Sequence, residues 1–240
     1  MIKENLTLDE RLMAAATLVP KNSVLLDVGT DHGYLPVYLI KCGRIQTAGA
    51  SDVNSDPLSK AVRTAENYGV TDRMSFYLSD GFDAVFDLDR YNCISICGMG
   101  GELISRILSD FDHVRDEKVS LVLQPMSSVR ELSEYLASEG FAIKDEKIAF
   151  AAGKLYRVIL ASYDGVVRSL TEVEHILGKI NIDRGTAEPH FGELLLKNIT
   201  KYKRICDGKK AGGIDFSDDT AVLAELTSIA EKEGVNYDNT

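Results

Sequence analysis

A chain of 240 residues with an apolar fraction of 45% has material for one α/β domain of about 150 residues and a smaller companion. Its 27 basic residues against 37 acidic ones, a formal net charge of −10, argue against a protein that wraps nucleic acid, while leaving room for a local basic patch. No apolar run approaches the roughly 20 residues of a membrane span, and four cysteines without a Cys-x-x-Cys pair exclude a metal or disulfide framework.

In chain order, residues 7–18 read as an amphipathic helix. Thr7 and Glu10 are spaced as a capping box, and Leu8, Leu12, Ala15 and Ala16 share one face. A strand is expected over 23–28 and a helix over 36–42. The next strand, 46–53, ends at Asp52, and Pro57 opens a helix that runs to Tyr68 and stops at Gly69. A third strand over 74–79 ends at Asp80-Gly81. A fourth over 91–97 ends in Gly98-Met99-Gly100-Gly101, with a helix to Leu108; Cys93 and Cys97 fall on one face of it, in the core. A fifth strand over 119–123 ends at Gln124-Pro125 and is followed by a helix over 128–139. Strands over 141–151 and 154–162 join at Ala152-Gly153 with hairpin spacing. Five β-α units and a hairpin imply an α/β fold, a mainly parallel sheet with an antiparallel strand at its edge. Beyond Tyr163-Asp164-Gly165 the pattern turns helical over 169–180, 187–206 and 217–233, so a sheet domain over 1–163 and a small helical domain over 164–240 are expected.

The stretch 24–36, Val-Leu-Leu-Asp-Val-Gly-Thr-Asp-His-Gly-Tyr-Leu-Pro, carries the most chemistry. A strand, a glycine turn and a helix make the ligand-binding corner of an open parallel sheet. Counted from Gly29, a dinucleotide loop wants glycines where this chain has Asp31 and Tyr34. A carboxylate repels a diphosphate; Asp27 and Asp31 suit a cation such as the sulfonium and amino group of S-adenosylmethionine. A carboxylate–cation pair is worth roughly 4 kcal/mol at 4 Å and a dielectric of about 20, before desolvation.

Asp27 either orients that amino group or caps the tight turn. Asp52 stands 25 residues further on, near the spacing at which an acid grips ribose hydroxyls. Asp80 offers an acceptor to an adenine amino group. Gly98-Met99-Gly100 lets backbone approach a ligand closely. No Asn-Pro-Pro-Tyr follows the fourth strand, which disfavours chemistry on an exocyclic amine. His32 stands alone, without a ligand set, so no metal is expected. Tyr34 stacks on a base or packs on the core. Lys197, Lys201, Lys203, Arg204, Lys209 and Lys210 form one basic cluster, either an RNA contact or a solvated helix face.

Gly29-Thr30-Asp31-His32-Gly33-Tyr34-Leu35-Pro36, the Gly98–Gly101 turn, Gln124-Pro125 and the helical tail together resemble the bacterial tRNA adenine-N1 methyltransferases called TrmK. The resemblance runs along the whole chain and is strongest over about 1–160. It implies a Rossmann-like class I methyltransferase fold with a seven-stranded sheet, S-adenosylmethionine as donor, N1 of adenosine 22 of tRNA as acceptor, and a helical domain that helps hold the tRNA. Carried over by motif, Asp27, Gly29, Asp31, His32, Asp80, Gly81, Gly98, Met99 and Gly100 bind the cofactor; Asp52 and Val53 are expected to join them, and Asp31 and Tyr34 are expected to serve the transfer. Where such proteins carry Gly-Glu after the second strand this chain has Ser51-Asp52, an acid one methylene shorter. A monomer in a reducing cytoplasm is expected, with no leader in the opening Met-Ile-Lys-Glu-Asn-Leu. The rival expectations are a methyltransferase acting on a small molecule or protein, a non-catalytic RNA-binding module, and, least favoured, a nucleotide-dependent oxidoreductase.

Overall fold

The computed structural model describes residues 6–237, which fall into two compact units on either side of the Arg168–Ser169 bond. The first is an α/β sheet unit. Helix α1 (Glu10–Leu18) begins later than the expected residue 7, because Asp9, not Thr7, takes the cap: its carboxylate accepts the free Leu12 N–H at 2.8 Å. Then come β1 (Leu25–Val28), α2 (Tyr34–Lys41), β2 (Ala48–Asp52), α3 (Ser55–Tyr68), β3 (Met74–Leu78), β4 (Cys93–Gly100), α4 (Gly101–Ser109), β5 (Ser120–Ser127), α5 (Val129–Ser138), β6 (Phe141–Ala151) and β7 (Lys154–Tyr163). Pro36 and Pro57 both sit in first turns, where an N–H has no helical partner to lose.

The seven strands lie in the order β3-β2-β1-β4-β5-β7-β6. β1 is central and buried throughout, pairing in parallel with β2 on one side and β4 on the other. The strand order therefore reverses between β1 and β4, the switch point at which such sheets open a crevice beyond their carboxyl ends. The antiparallel strand is not at the edge as expected: β7 inserts between β5 and β6, antiparallel to both. Burial explains the inversion. Val158, Ile159 and Ala161 of β7 are fully buried, whereas β6 carries Lys144, Asp145 and Lys147 in exposed or half-buried positions that suit an edge.

The core forms one layer on each face of the sheet. Leu26, Ile94, Ile96, Leu121 and Ile159 pack with Ile104, Leu108, Leu132 and Leu136 of α4 and α5. On the other face Leu25, Ala48 and Val122 meet Ala15, Ala16, Val37, Leu39, Ile40 and Ala65 of α1, α2 and α3. Burying a Leu or Ile is worth roughly 1.5–3 kcal/mol, so these layers hold the strand ends, and hence the crevice, in register. Residues 164–168 stay with this unit: the Asp164 N–H donates to Gly140 O at 3.0 Å and the Arg168 N–H to Ala137 O at 2.8 Å.

The second unit is helical. The helix expected over 169–180 breaks at Gly178 (φ 88°, ψ 129°) into α6 (Glu172–Leu177), closed by a Thr171/Glu174 capping box, and α7 (Lys179–Arg184). α8 (Phe191–Ala211) starts four residues after the expected 187, since Pro189 disfavours a helical residue before it and His190 is left-handed at φ 63°. α8 packs against α9 (Ser217–Glu233), burying Leu195, Ile199, Leu226 and Ala230.

Candidate active site

β1 delivers the chain into a turn that crosses the end of β2. The Gly29 and Thr30 N–H groups both donate to Ser51 O, at 2.8 and 2.9 Å. Gly29 has φ +68°, which disfavours a side chain, and a Cβ there would stand 2.0 Å from Met99 Cε, so the flexible Met99 side chain would have to move. Asp31 is also left-handed, at φ 49°, a strain that a non-glycine residue bears only when its surroundings impose it. Its N–H points to Asp52 Oδ2 at 3.4 Å. Asp31 itself is exposed, with its Oδ2 3.6 Å from His32 Nε2, and the His32 ring lies flat on Tyr34 at 5.1 Å and 4°.

Asp27 is buried, and both its oxygens are taken: Thr30 Oγ1 donates to Oδ2 at 2.7 Å and Ser95 Oγ to Oδ1 at 2.5 Å. Burial outweighs these two bonds and pushes its carboxyl up to about 6. It thus ties the loop to β4 and also faces the ligand space. Asp52, 8% exposed, accepts the Asn54 N–H on Oδ1 at 2.9 Å.

These residues line one cavity of about 850 Å³ at the carboxyl ends of β1–β4. Asp27, Gly29, Asp31, His32 and Tyr34 come from the first loop, Asp52 and Val53 from the second, Asp80 and Gly81 from the third, and Gly98 and Met99 from the fourth. Gly100 is not brought in. β4 shifts register on either side of Met99 and ends at Gly100, which pairs with Ser127 of β5, so this glycine lies in the sheet. Gly101 serves packing, since a Cβ there would stand 2.1 Å from Ser128 O. Cys93 is buried in the core, and Cys97, half-buried, packs against that core and also lines the cavity; burial pushes its thiol up, which leaves it protonated and a poor nucleophile.

Sequence reasoning missed several residues that line this cavity: Asp9 and Arg11 at the start of α1, Leu103 and Arg106 from α4, and Met126 from β5. Arg11 carried a signal, because it precedes buried Ala15 by one turn and so places a cation on the apolar side of α1. Its Nη1 donates to Oε1 of fully buried Gln124 at 2.6 Å, the oxygen that also accepts the Gly98 N–H at 3.1 Å.

In the helical unit the six basic residues lie on α8 but not in one state. Lys197, Lys201 and Arg204, at the i, i+4, i+7 spacing of one face, are exposed, as is Lys210. Lys209 is ion-paired with Asp219, and Lys203 donates to Tyr237 O at 3.2 Å and covers the Tyr237 ring.

Residues 8–159 match the family model described as a methyltransferase domain. The tRNA (adenine(22)-N(1))-methyltransferase of Bacillus subtilis is 33% identical over 168 residues, covering 67% of this chain and 70% of that protein. A Streptococcus pneumoniae protein solved in complex with S-adenosyl-L-methionine superposes with a TM-score of 0.78 at 28% identity, covering 93% of this chain and 99% of its own. The crystal structure of Bacillus subtilis TrmK superposes with a TM-score of 0.76 at 27% identity, over 97% of this chain and all of that one. With the seven-stranded order, the acidic crevice and these likenesses together, the chain belongs to the TrmK family of methyltransferases.

Proposed function

We propose that this protein methylates N1 of adenosine 22 in tRNA, using S-adenosylmethionine. The observation that carries the donor half is the convergence of Asp27, Asp31, Asp52 and Asp80 on one cavity whose loop lacks the glycines a diphosphate needs. The acceptor half rests on membership of a family whose curated Bacillus subtilis relative is a tRNA (adenine(22)-N(1))-methyltransferase.

The residues present fit this donor. A cavity of about 850 Å³ has the size of a small-molecule site, and its acids match a ligand of net positive charge. Asp52 would hold the ribose hydroxyls, Asp80 the adenine amino group, and Asp27 and Asp31 the methionine end, with Gly29, Gly81 and Gly98 giving backbone access. When bound, the donor supplies a methyl group on a sulfonium centre, the activated carbon that a neutral nucleophile attacks.

Adenine N1 already carries a lone pair at neutral pH, so no side chain need remove a proton. What the chain supplies is position, holding the base in a near-attack arrangement. N1 lies on the pairing edge, so the base must leave its stack and be held by a flat surface. Tyr34, 40% exposed and stacked on His32, provides one, and Met99 lines the same cavity. The methylated base is a cation, and Asp31 stabilises the charge as it develops. The exposed Lys197, Lys201, Arg204 and Lys210 bind the tRNA backbone, with Lys203 and Lys209 held in the helical unit. The enzyme acts as a monomer in the cytoplasm; among the described residues no helix is long and apolar enough to cross a membrane.

Transfer of labelled methyl to unmodified bacterial tRNA, followed by nucleoside mass spectrometry, tests the whole reading. 1-Methyladenosine mapped to position 22 supports it. Labelling at another atom discards the N1 assignment, and cofactor binding without transfer points to a small-molecule, protein or non-catalytic role. Asp31→Asn tests the charge-stabilising role: turnover at saturating cofactor falls beyond what any loss of cofactor affinity explains, whereas full turnover at saturation refutes it.

A further inference from the structure

The cavity walls carry five carboxylates, Asp9, Asp27, Asp31, Asp52 and Asp80, against two permanently cationic side chains, Arg11 and Arg106. Such a mouth repels a polyanion unless a cation stands where the backbone passes. Arg106 precedes Ile107, whose Cγ2 lies 3.6 Å from the Cβ position of Gly81, so it belongs to the side of Asp80. Arg11 belongs to the Gly98-Met99 turn. Its Nη1 stands 3.7 Å from where a Gly98 Cβ would be, and the bond to Gln124 pins it against the Gly98-Met99 turn. Asp9 Oδ2 lies 3.5 Å from Nη2, on the same helix start. A guanidinium has five N–H donors; Gln124 and Asp9 take one each, and the other three have no partner among the described residues. The side chain is only 19% exposed, so its place is set before any substrate arrives.

We infer that Arg11 binds the tRNA directly, its guanidinium holding the backbone phosphate adjoining the adenosine to be methylated. This rests on the proposed tRNA methylation. A phosphate, not the base, is the partner the chemistry selects. The planar fork of donors matches phosphate oxygens two at a time. Against the base it would oppose the positive charge that methylation creates. The strand-end carboxylates grip the cationic donor while Arg11, beside the Gly98-Met99 turn, receives the anionic acceptor, so one acidic pocket takes both substrates.

The test compares the full chain with Arg11→Gln and Arg11→Lys. Cofactor affinity is measured by calorimetry, and tRNA affinity over a salt series. Cofactor affinity is expected to hold within about two-fold in both. Arg11→Gln lowers tRNA affinity about ten-fold and reduces the slope of log K against log salt by about 0.7–0.9, the signature of one lost phosphate contact. Arg11→Lys keeps the slope and recovers part of the affinity. On tRNA with methylphosphonates flanking adenosine 22, the natural protein loses what Arg11→Gln loses, and Arg11→Gln loses nothing more. An unchanged slope, a further loss on the neutral backbone, or a loss confined to the cofactor makes Arg11 a strut for Gln124 and overturns the inference. If the natural protein neither binds nor methylates tRNA, the proposed function falls with it. If it methylates tRNA and Arg11→Gln does so with the same salt slope, only the inference falls.

Discussion

Asp27 couples the stability of the fold to its readiness for a cationic ligand, and the coupling has a size. In the unfolded chain its carboxyl titrates near 3.8; in the folded protein burial raises it to about 6. Between those values the folded state holds a proton that the unfolded state has released. Stability therefore falls as pH rises through this window, and the loss is complete above about 6. The two values differ by about 2, each pH unit is worth about 1.4 kcal/mol, and the group is 5% exposed, so the ionised form costs the fold about 3 kcal/mol. Asp27→Asn removes the ionisation while keeping the shape that Thr30 and Ser95 grip. Urea unfolding of both proteins at pH 4, 5, 6 and 8 is the assay. The two stabilities should agree near pH 4 and diverge until Asp27→Asn is more stable by up to about 3 kcal/mol at pH 8. The same variant should bind S-adenosylmethionine more weakly at pH 8, since it has no charge for the ligand's cation. Stability curves that run parallel across the whole range would refute the reasoning.

Gly29→Ala should lower stability by about 1–2 kcal/mol from the left-handed torsion alone and weaken cofactor binding, since its Cβ meets Met99. Thermal unfolding and calorimetry of Gly29→Ala with and without Met99→Ala separate the two, because the second change relieves the contact but not the torsion. Tyr34→Ala should cut kcat/KM for tRNA at least about five-fold, from the 1–3 kcal/mol of a base stack, with cofactor affinity unchanged; unchanged kinetics would remove Tyr34 from the acceptor pocket. Replacing Lys197, Lys201 and Arg204 together by Ala should reduce the salt slope of tRNA binding by about 2–3. Lys209→Ala, which breaks the ion pair with Asp219, should instead show in thermal unfolding and leave that slope nearly unchanged.

Much of the sheet unit is legible without coordinates because its signals are local. A glycine turn after an apolar run, a proline in a first turn and an acid at a strand end each declare a backbone state over a few residues. Asp27 and Asp31 stand at the end of β1, Asp52 at that of β2 and Asp80 just past that of β3, and a parallel sheet with right-handed crossovers delivers all such ends to one edge. Their meeting in one cavity therefore follows from the order of elements. A glycine run looks alike whether it faces a ligand or a neighbouring strand, and only the tertiary pairing with Ser127 places Gly100 in the sheet.

What the tertiary structure decided are the contacts between residues far apart in the chain. The exchange of β6 and β7 depends on which strand of the hairpin can bear burial on both faces, a competition that no spacing rule expresses. Arg11 reaches Gln124 across 113 positions of sequence, and α8's basic run divides into exposed and occupied cations only when Asp219 and Tyr237 fold back on it. Sequence by itself determined the elements, the acidic crevice and the class of ligand, because periodicity and turn chemistry act over a few residues. Tertiary structure determined which charges are spent inside the fold and which remain for a substrate, because an ion pair forms only where packing has brought its partners together.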